Sequence, residues 1–237
     1  MTLDGKFDAV IKLRDEMLAR SEATGVRAGR AVAARAARRA LIYLGMFEEA
    51  LGSVPNSGTP ISRSHVGFGQ RAMCLAHMGH LDEARDILGQ FKDLGDLGRS
   101  DDASPSGNLR YLLEAAILVE DKPLAQALSL RFQSMGTDLY AEANMVYCIG
   151  HLCGEASNLT GNSREARLHY VRALEVCERV RFRPEVALIR LDLAELLLEH
   201  YPDERDAAIE HLDFAITEFR EMKMQPALER ALRHRGC

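Results

Sequence analysis

A glycine followed five residues later by an alanine recurs along the 237-residue chain. Gly45 and Ala50 stand in YLGMFEEAL, Gly79 and Ala84 in HMGHLDEARDIL 34 residues on, and Gly161 and Ala166 in LTGNSREARLHYVRAL. A period in the thirties to forties that couples a turn residue to a small helical residue calls for stacked helical hairpins, because one hairpin cannot bury its own apolar stripe and must lean on the next. Arrays of this kind build a core by stacking and turn a concave face toward something else.

Helical periodicity extends this reading over nearly the whole chain. It predicts helices at 5–23, 27–44, 47–53, 62–78, 81–94, 108–119, 122–134, 138–159, 163–180, 184–200, 204–221 and 224–234, about twelve in all, and no strand. Pro123 and Pro184 suit first helical turns, where a missing N–H is tolerated. Loops are expected at 54–62 and, as the longest break, at 95–107. Gly5, Phe7 and Val10 resemble the second helix of a hairpin, so the first helix reads as a degenerate cap or as part of a longer parent protein. Later repeats lengthen to about 40 residues, as from Gly154 to Ala194.

Composition narrows the role. A 47% hydrophobic content is ample for a core, and a net charge of −5 gives no general drive toward nucleic acid or an anionic membrane. The five cysteines, Cys74, Cys148, Cys153, Cys177 and Cys237, are odd in number and sit mostly in apolar helical patterns, which points to a reducing, cytoplasmic setting rather than a disulfide framework. The segment MTLDGKFDAV does not have the apolar stretch of a signal peptide. No run of about 18 uncharged apolar residues occurs, so no membrane span is expected.

Gly154, Gly161, Ala166, Tyr170 and Ala173 fall at the intervals of the small, small, aromatic and alanine positions of the tetratricopeptide repeat, and the chain resembles that family. Ala50 and Ala84 match as well, and Ala127, Ala208 and Ala215 do so more loosely. The chain departs from the pattern in having no Trp and in placing Arg38 where a small residue is expected. The ending HLDFAITEFREMKMQPALERAL is similar to C-terminal helical regions of bacterial signalling ATPases and of transcription activators of the maltose-activator type. The resemblance implies an all-α, right-handed α-α superhelix of about five hairpins plus capping helices. It would form one TPR-like domain over 1–237, with N-terminal repeats at 1–94, a loop at 95–107 and C-terminal repeats at 108–237.

Chemistry is sparse. Cys74-x-x-His77-x-x-His80 and Cys148-x-x-His151-x-Cys153 have metal-like spacing, but on a helix neither set converges easily, and zinc needs a tetrahedral arrangement. The cysteines therefore read as small hydrophobes, and no metal or cofactor is expected. Phosphate-loop, calcium-loop, H-E-x-x-H and G-x-S-x-G patterns are absent, so the reading is non-catalytic.

Charge is more telling. Residues 1–41 hold nine Lys/Arg against five Asp/Glu, whereas 185–221 hold eleven acidic residues against three Arg. The family register would put Arg35 and Arg39, then Gln70, Met73 and His77, then His151, Glu155 and Asn158, then Glu195, on the inner face. The leading expectation is a scaffold whose concave groove captures a protein or peptide, with Arg35 and Arg39 selecting acidic groups. A ligand-sensing module of a larger signalling or transcription regulator is the alternative. Partners would be a protein segment or a neighbouring domain. A membrane and, without stacking aromatics near residues 27–40, nucleic acid are disfavoured, and homo-oligomers remain open.

Overall fold

In the recurring signature, glycine and alanine do separate jobs. Gly45, Gly79 and Gly161 have φ of 78°, 81° and 84°, the left-handed conformation that ends one helix and turns the chain into the next. Ala50, Ala84 and Ala166 are fully buried in the second helix, where a larger side chain would hold the pair apart. The turns at Glu120, Arg181 and Lys223 take the same left-handed conformation, with φ of 59°, 57° and 59°, on residues that carry a Cβ. The glycine signal is therefore lost there although the backbone path is kept.

The computed structural model describes residues 1–54, 66–92, 97–98, 104, 106–142 and 145–235. Among them run twelve helices: α1 (Phe7–Thr24), α2 (Arg27–Tyr43), α3 (Phe47–Gly52), α4 (Val66–His77), α5 (Leu81–Lys92), α6 (Ser106–Leu118), α7 (Lys122–Ser134), α8 (Ile149–Leu159), α9 (Ser163–Arg179), α10 (Arg183–His200), α11 (Arg205–Met222) and α12 (Gln225–Arg235). The chain is mostly helical, and none of these helices is long and apolar enough to cross a membrane. The loops expected at 54–62 and 95–107 lie largely outside the described residues.

Residues 139–142 and 145–148 depart from the predicted helix. Leu139–Glu142 (β1) and Met145–Cys148 (β2) form an antiparallel hairpin in which Tyr140 faces Tyr147 and Ala141 faces Val146. Tyr and Val prefer the pleated surface to a helix, and this local preference prevails. The hairpin is also pinned from outside. Tyr147 covers one face of the fully buried Arg110 guanidinium at 3.2 Å, and Tyr111 covers it at 3.6 Å. Helix α8 starts only afterwards, with the N–H groups of Ile149 and Gly150 donating to the Asp138 carbonyl at 2.9 and 3.2 Å.

Successive helices pack in pairs, α4 on α5, α6 on α7, α8 on α9 and α10 on α11. The first members also touch in series, α4 to α6, α6 to α8, α8 to α10 and α10 to α12. The series then closes, because α12 packs against α2. Phe7, Ala40 and Tyr43 from the first two helices share one core with Ala187, Leu191, Leu212, Phe219 and Met222. The Arg183 N–H donates to the Leu3 carbonyl at 2.8 Å, and Lys223 pairs with Asp8 at 2.6 Å. The two ends of the array thus meet around its inner face. Arg38, anomalous for a small-residue position, is buried and donates to the Ser53 hydroxyl at 2.8 Å and the Ser53 carbonyl at 2.9 Å, which accounts for its place.

Candidate functional site: a charged central cavity

Each helix of the inner series contributes a polar side chain to one cavity of about 240 Å³. Arg39 and Tyr43 come from α2, His77 from α4, Glu114 from α6, His151 and Glu155 from α8, Asp192 from α10 and Arg230 from α12. Apolar lining is supplied by Phe47, Ile117, Leu152, Leu188 and their neighbours. The local reason is visible in α6 and α10, which are buried on nearly every side. A carboxylate on such a helix has no solvated face to occupy, and buried charges survive only when paired.

Pairing is systematic. Arg39 contacts Glu114 at 2.5 Å and Glu185 at 3.4 Å. His151 Nδ1 lies 2.8 Å from Glu185 and its Nε2 lies 2.5 Å from Asp192. Arg230 reaches Asp192 at 2.5 Å and Glu195 Oε1 at 2.9 Å. The result is an alternating file, Glu114–Arg39–Glu185–His151–Asp192–Arg230–Glu195, in which every cation bridges two carboxylates. His77 adds a 2.9 Å contact at the Glu114 end and His234 one of 2.9 Å at the Glu195 end. The Tyr43 hydroxyl also donates to Glu185.

The file fixes charge states. Burial works against the His151 imidazolium, but Glu155, Asp192 and Glu185 outweigh it and hold its pKa well above the usual value. Burial likewise opposes ionisation of Glu114, yet Arg39 and His77 hold it well below the usual carboxylate range. Glu185 is lowered against burial by His151, Arg39 and Tyr43, and Asp192 by Arg230 and His151. Glu155 is the exception. Burial pushes it up to about 7, His151 and Arg230 only partly oppose this, and Asp192 and Glu114 add to it. Among the described residues it has no hydrogen-bond partner, although it lines the cavity.

The structure brings together four of the nine inner-face residues expected from the sequence: Arg39, His77, His151 and Glu155. Glu195 stands just behind them, held by Arg230. Gln70 instead donates to the Tyr111 hydroxyl at 3.0 Å inside the core, and Met73 is a core residue 1% exposed. Arg35 and Asn158 are half-buried and do not line the cavity. Tyr43, Glu114, Glu185, Asp192 and Arg230 were not anticipated. The available signal was an acid set within an apolar run, Glu114 alone in RYLLEAAIL and Asp192 with Glu195 in ALIRLDLAELLL.

One three-residue group has metal-ligand geometry. Ligand atoms of His151, Glu155 and Asp192 all lie within 4.8 Å of one another. Both His151 nitrogens already face carboxylates, so a metal would have to displace Asp192 from Nε2 before the imidazole could coordinate. The two Cys/His motifs scatter: Cys74 and Cys153 are in one core, Cys148 is in another, and His80 contacts Glu83 at 2.8 Å. No protein-family model matches the sequence, and no curated protein matches it significantly.

Proposed function

We propose that this chain is a non-catalytic, TPR-like regulatory module that binds a small ligand in its central cavity, in keeping with the sensor alternative raised by the sequence. The observation that carries the reading is the central cavity, to which six helices of the inner series bring polar groups amid an apolar lining. Small-molecule sites have this composition, mostly apolar with a few convergent polar groups. Because the lining belongs to both ends of the array, a ligand there would bias how α2 and α12 meet, and a neighbouring domain could read that change.

Capture of an acidic peptide by Arg35 and Arg39 has less support. The Arg39 terminal nitrogens already face Glu114 and Glu185. The test is thermal unfolding of the full chain against a broad metabolite collection, in parallel with Ala227→Trp, which fills the cavity from α12. A ligand at about 100 times its Kd adds about 2.7 kcal/mol of stability. Stabilisation of the wild type and not of the variant supports the reading, and a flat response from the wild type contradicts it.

A further inference from the structure

The charges around the cavity are unbalanced in a way that selects the ligand. The file contains Glu114, Glu185, Asp192 and Glu195 against Arg39, His151 and Arg230. An anion entering the cavity would meet each cation already flanked by two carboxylates, so attraction to the first would be offset by repulsion from the others. The unfilled acceptors point the other way. Glu155 faces the cavity with no hydrogen-bond partner among the described residues. Glu114 is 6% exposed and its Oε2 has no hydrogen-bond partner among the described residues. A carboxylate oxygen of Asp192 lies within 4.8 Å of one from Glu155. The unfilled donor among the lining residues, Arg39 Nε, belongs to a guanidinium stacked 4.7 Å from the Tyr43 ring.

Resting on the cavity reading above, we propose that the ligand is a small organic cation, an amine or guanidine, whose charged head is held by Glu155 beside Asp192 and Glu114 while its carbon body lies against Phe47, Ile117, Leu152 and Leu188. A charged head completes the alternation, because it places a cation beside the one carboxylate that the file leaves out. Hydrogen bonds from N⁺–H to carboxylate are shorter and stronger than neutral ones. The ionisation of Glu155 also gives binding a direction with pH. At neutral pH burial leaves this carboxyl only partly ionised, and a bound cation draws it fully to the carboxylate.

The experiment uses the full chain and a matched panel: phenethylamine with 2-phenylethanol and phenylacetate, hexylamine with hexanol and hexanoate, and agmatine, each followed by thermal shift and calorimetry. Zinc and manganese chlorides are run alone. The expected result is that amines or agmatine bind at least tenfold tighter than their neutral and anionic counterparts. Glu155→Gln, which keeps the side-chain shape, should weaken amine binding at least tenfold while the variant stays folded by circular dichroism, and Glu155→Asp should recover part of it. Equal binding of alcohols or carboxylates, retained amine affinity in Glu155→Gln, or stabilisation by the metals alone would overturn the inference while leaving a ligand-binding cavity in place. If the panel and the broad metabolite collection alike leave the wild type unmoved, the cavity reading itself fails.

Discussion

His151 and Asp192 stand 2.5 Å apart, nitrogen to oxygen, across the contact between α8 and α10. With Glu185 on its other nitrogen, His151 is the shared counterion of two carboxylates that are only 2% and 4% exposed. His151→Ala takes one of two cationic partners from each carboxylate, leaving Glu185 to Arg39 and Asp192 to Arg230, and should destabilise by up to about 3–5 kcal/mol, the cost of removing one partner of a buried ion pair. Urea denaturation should show the loss, and adding Glu185→Gln and Asp192→Asn to the His151→Ala background should restore part of it. A His151→Ala variant as stable as the wild type would show that these carboxylates do not need the imidazolium.

Glu155 sets the pH dependence of the ligand-free chain near neutrality. It is faced by His151 on its own helix, Glu114 from α6, Tyr170 from α9, Asp192 from α10 and Arg230 from α12. Its folded pKa of about 7 exceeds the ordinary 4.5, so between those values the unfolded chain binds fewer protons and stability falls as pH rises. The full effect is about 3 kcal/mol at one pKa unit per 1.36 kcal/mol. Glu155→Gln should flatten that slope in denaturation curves taken from pH 5 to 8. The lowered pKa values of Glu185 and Asp192 act oppositely: their stabilisation is present above the ordinary carboxylate range and is lost as pH falls through the folded values.

Gly154 on α8 lies against the ring of Tyr170 on α9, and a Cβ there would overlap the ring. Gly154→Ala should therefore destabilise by about 1–3 kcal/mol, the usual cost of overpacking. Gly150→Ala on the same helix, where a Cβ would sit 3.4 Å from Ala173 Cβ, is the milder control. Chemical denaturation separates the two, and equal effects would contradict the close approach at Gly154.

Closure of the array makes a prediction about cooperativity. Phe7 is 2% exposed, its ring centroid is 5.4 Å from that of Tyr43, and its core includes Phe219 and Met222. Phe7→Ala should cost about 3–5 kcal/mol. Hydrogen exchange should then speed up in α10 and α11 as well as in α1. Faster exchange confined to α1 and α2 would mean that the two ends do not support one another.

Most of the helical framework was legible in the sequence, because glycine turns, buried alanines and apolar spacing act locally. The strands at 139–142 and 145–148 were missed because Tyr140, Val146 and Tyr147 suit an apolar helix face as well as a strand, and the Arg110 guanidinium that stacks on Tyr147 comes from far away in sequence. His77, His151 and Glu155 could be placed on an inner face by register, and Arg39 by its position on α2. Their partners could not be placed. Which acid meets Arg39 depends on how far the array curls, and Glu185 lies 146 residues away. On α10 register placed Glu195 on the inner face, but Glu185 and Asp192 read as solvated surface until the helix's packing on all sides is known.

The central claim is that the inner face of the array receives a small ligand. A crystal structure of the full chain grown with the compound that stabilises it most tests this directly. The account predicts that compound between α8 and α12, with its charged nitrogen within hydrogen-bonding distance of Glu155. The same compound bound on an outer helical face, with the cavity holding only solvent, would contradict it.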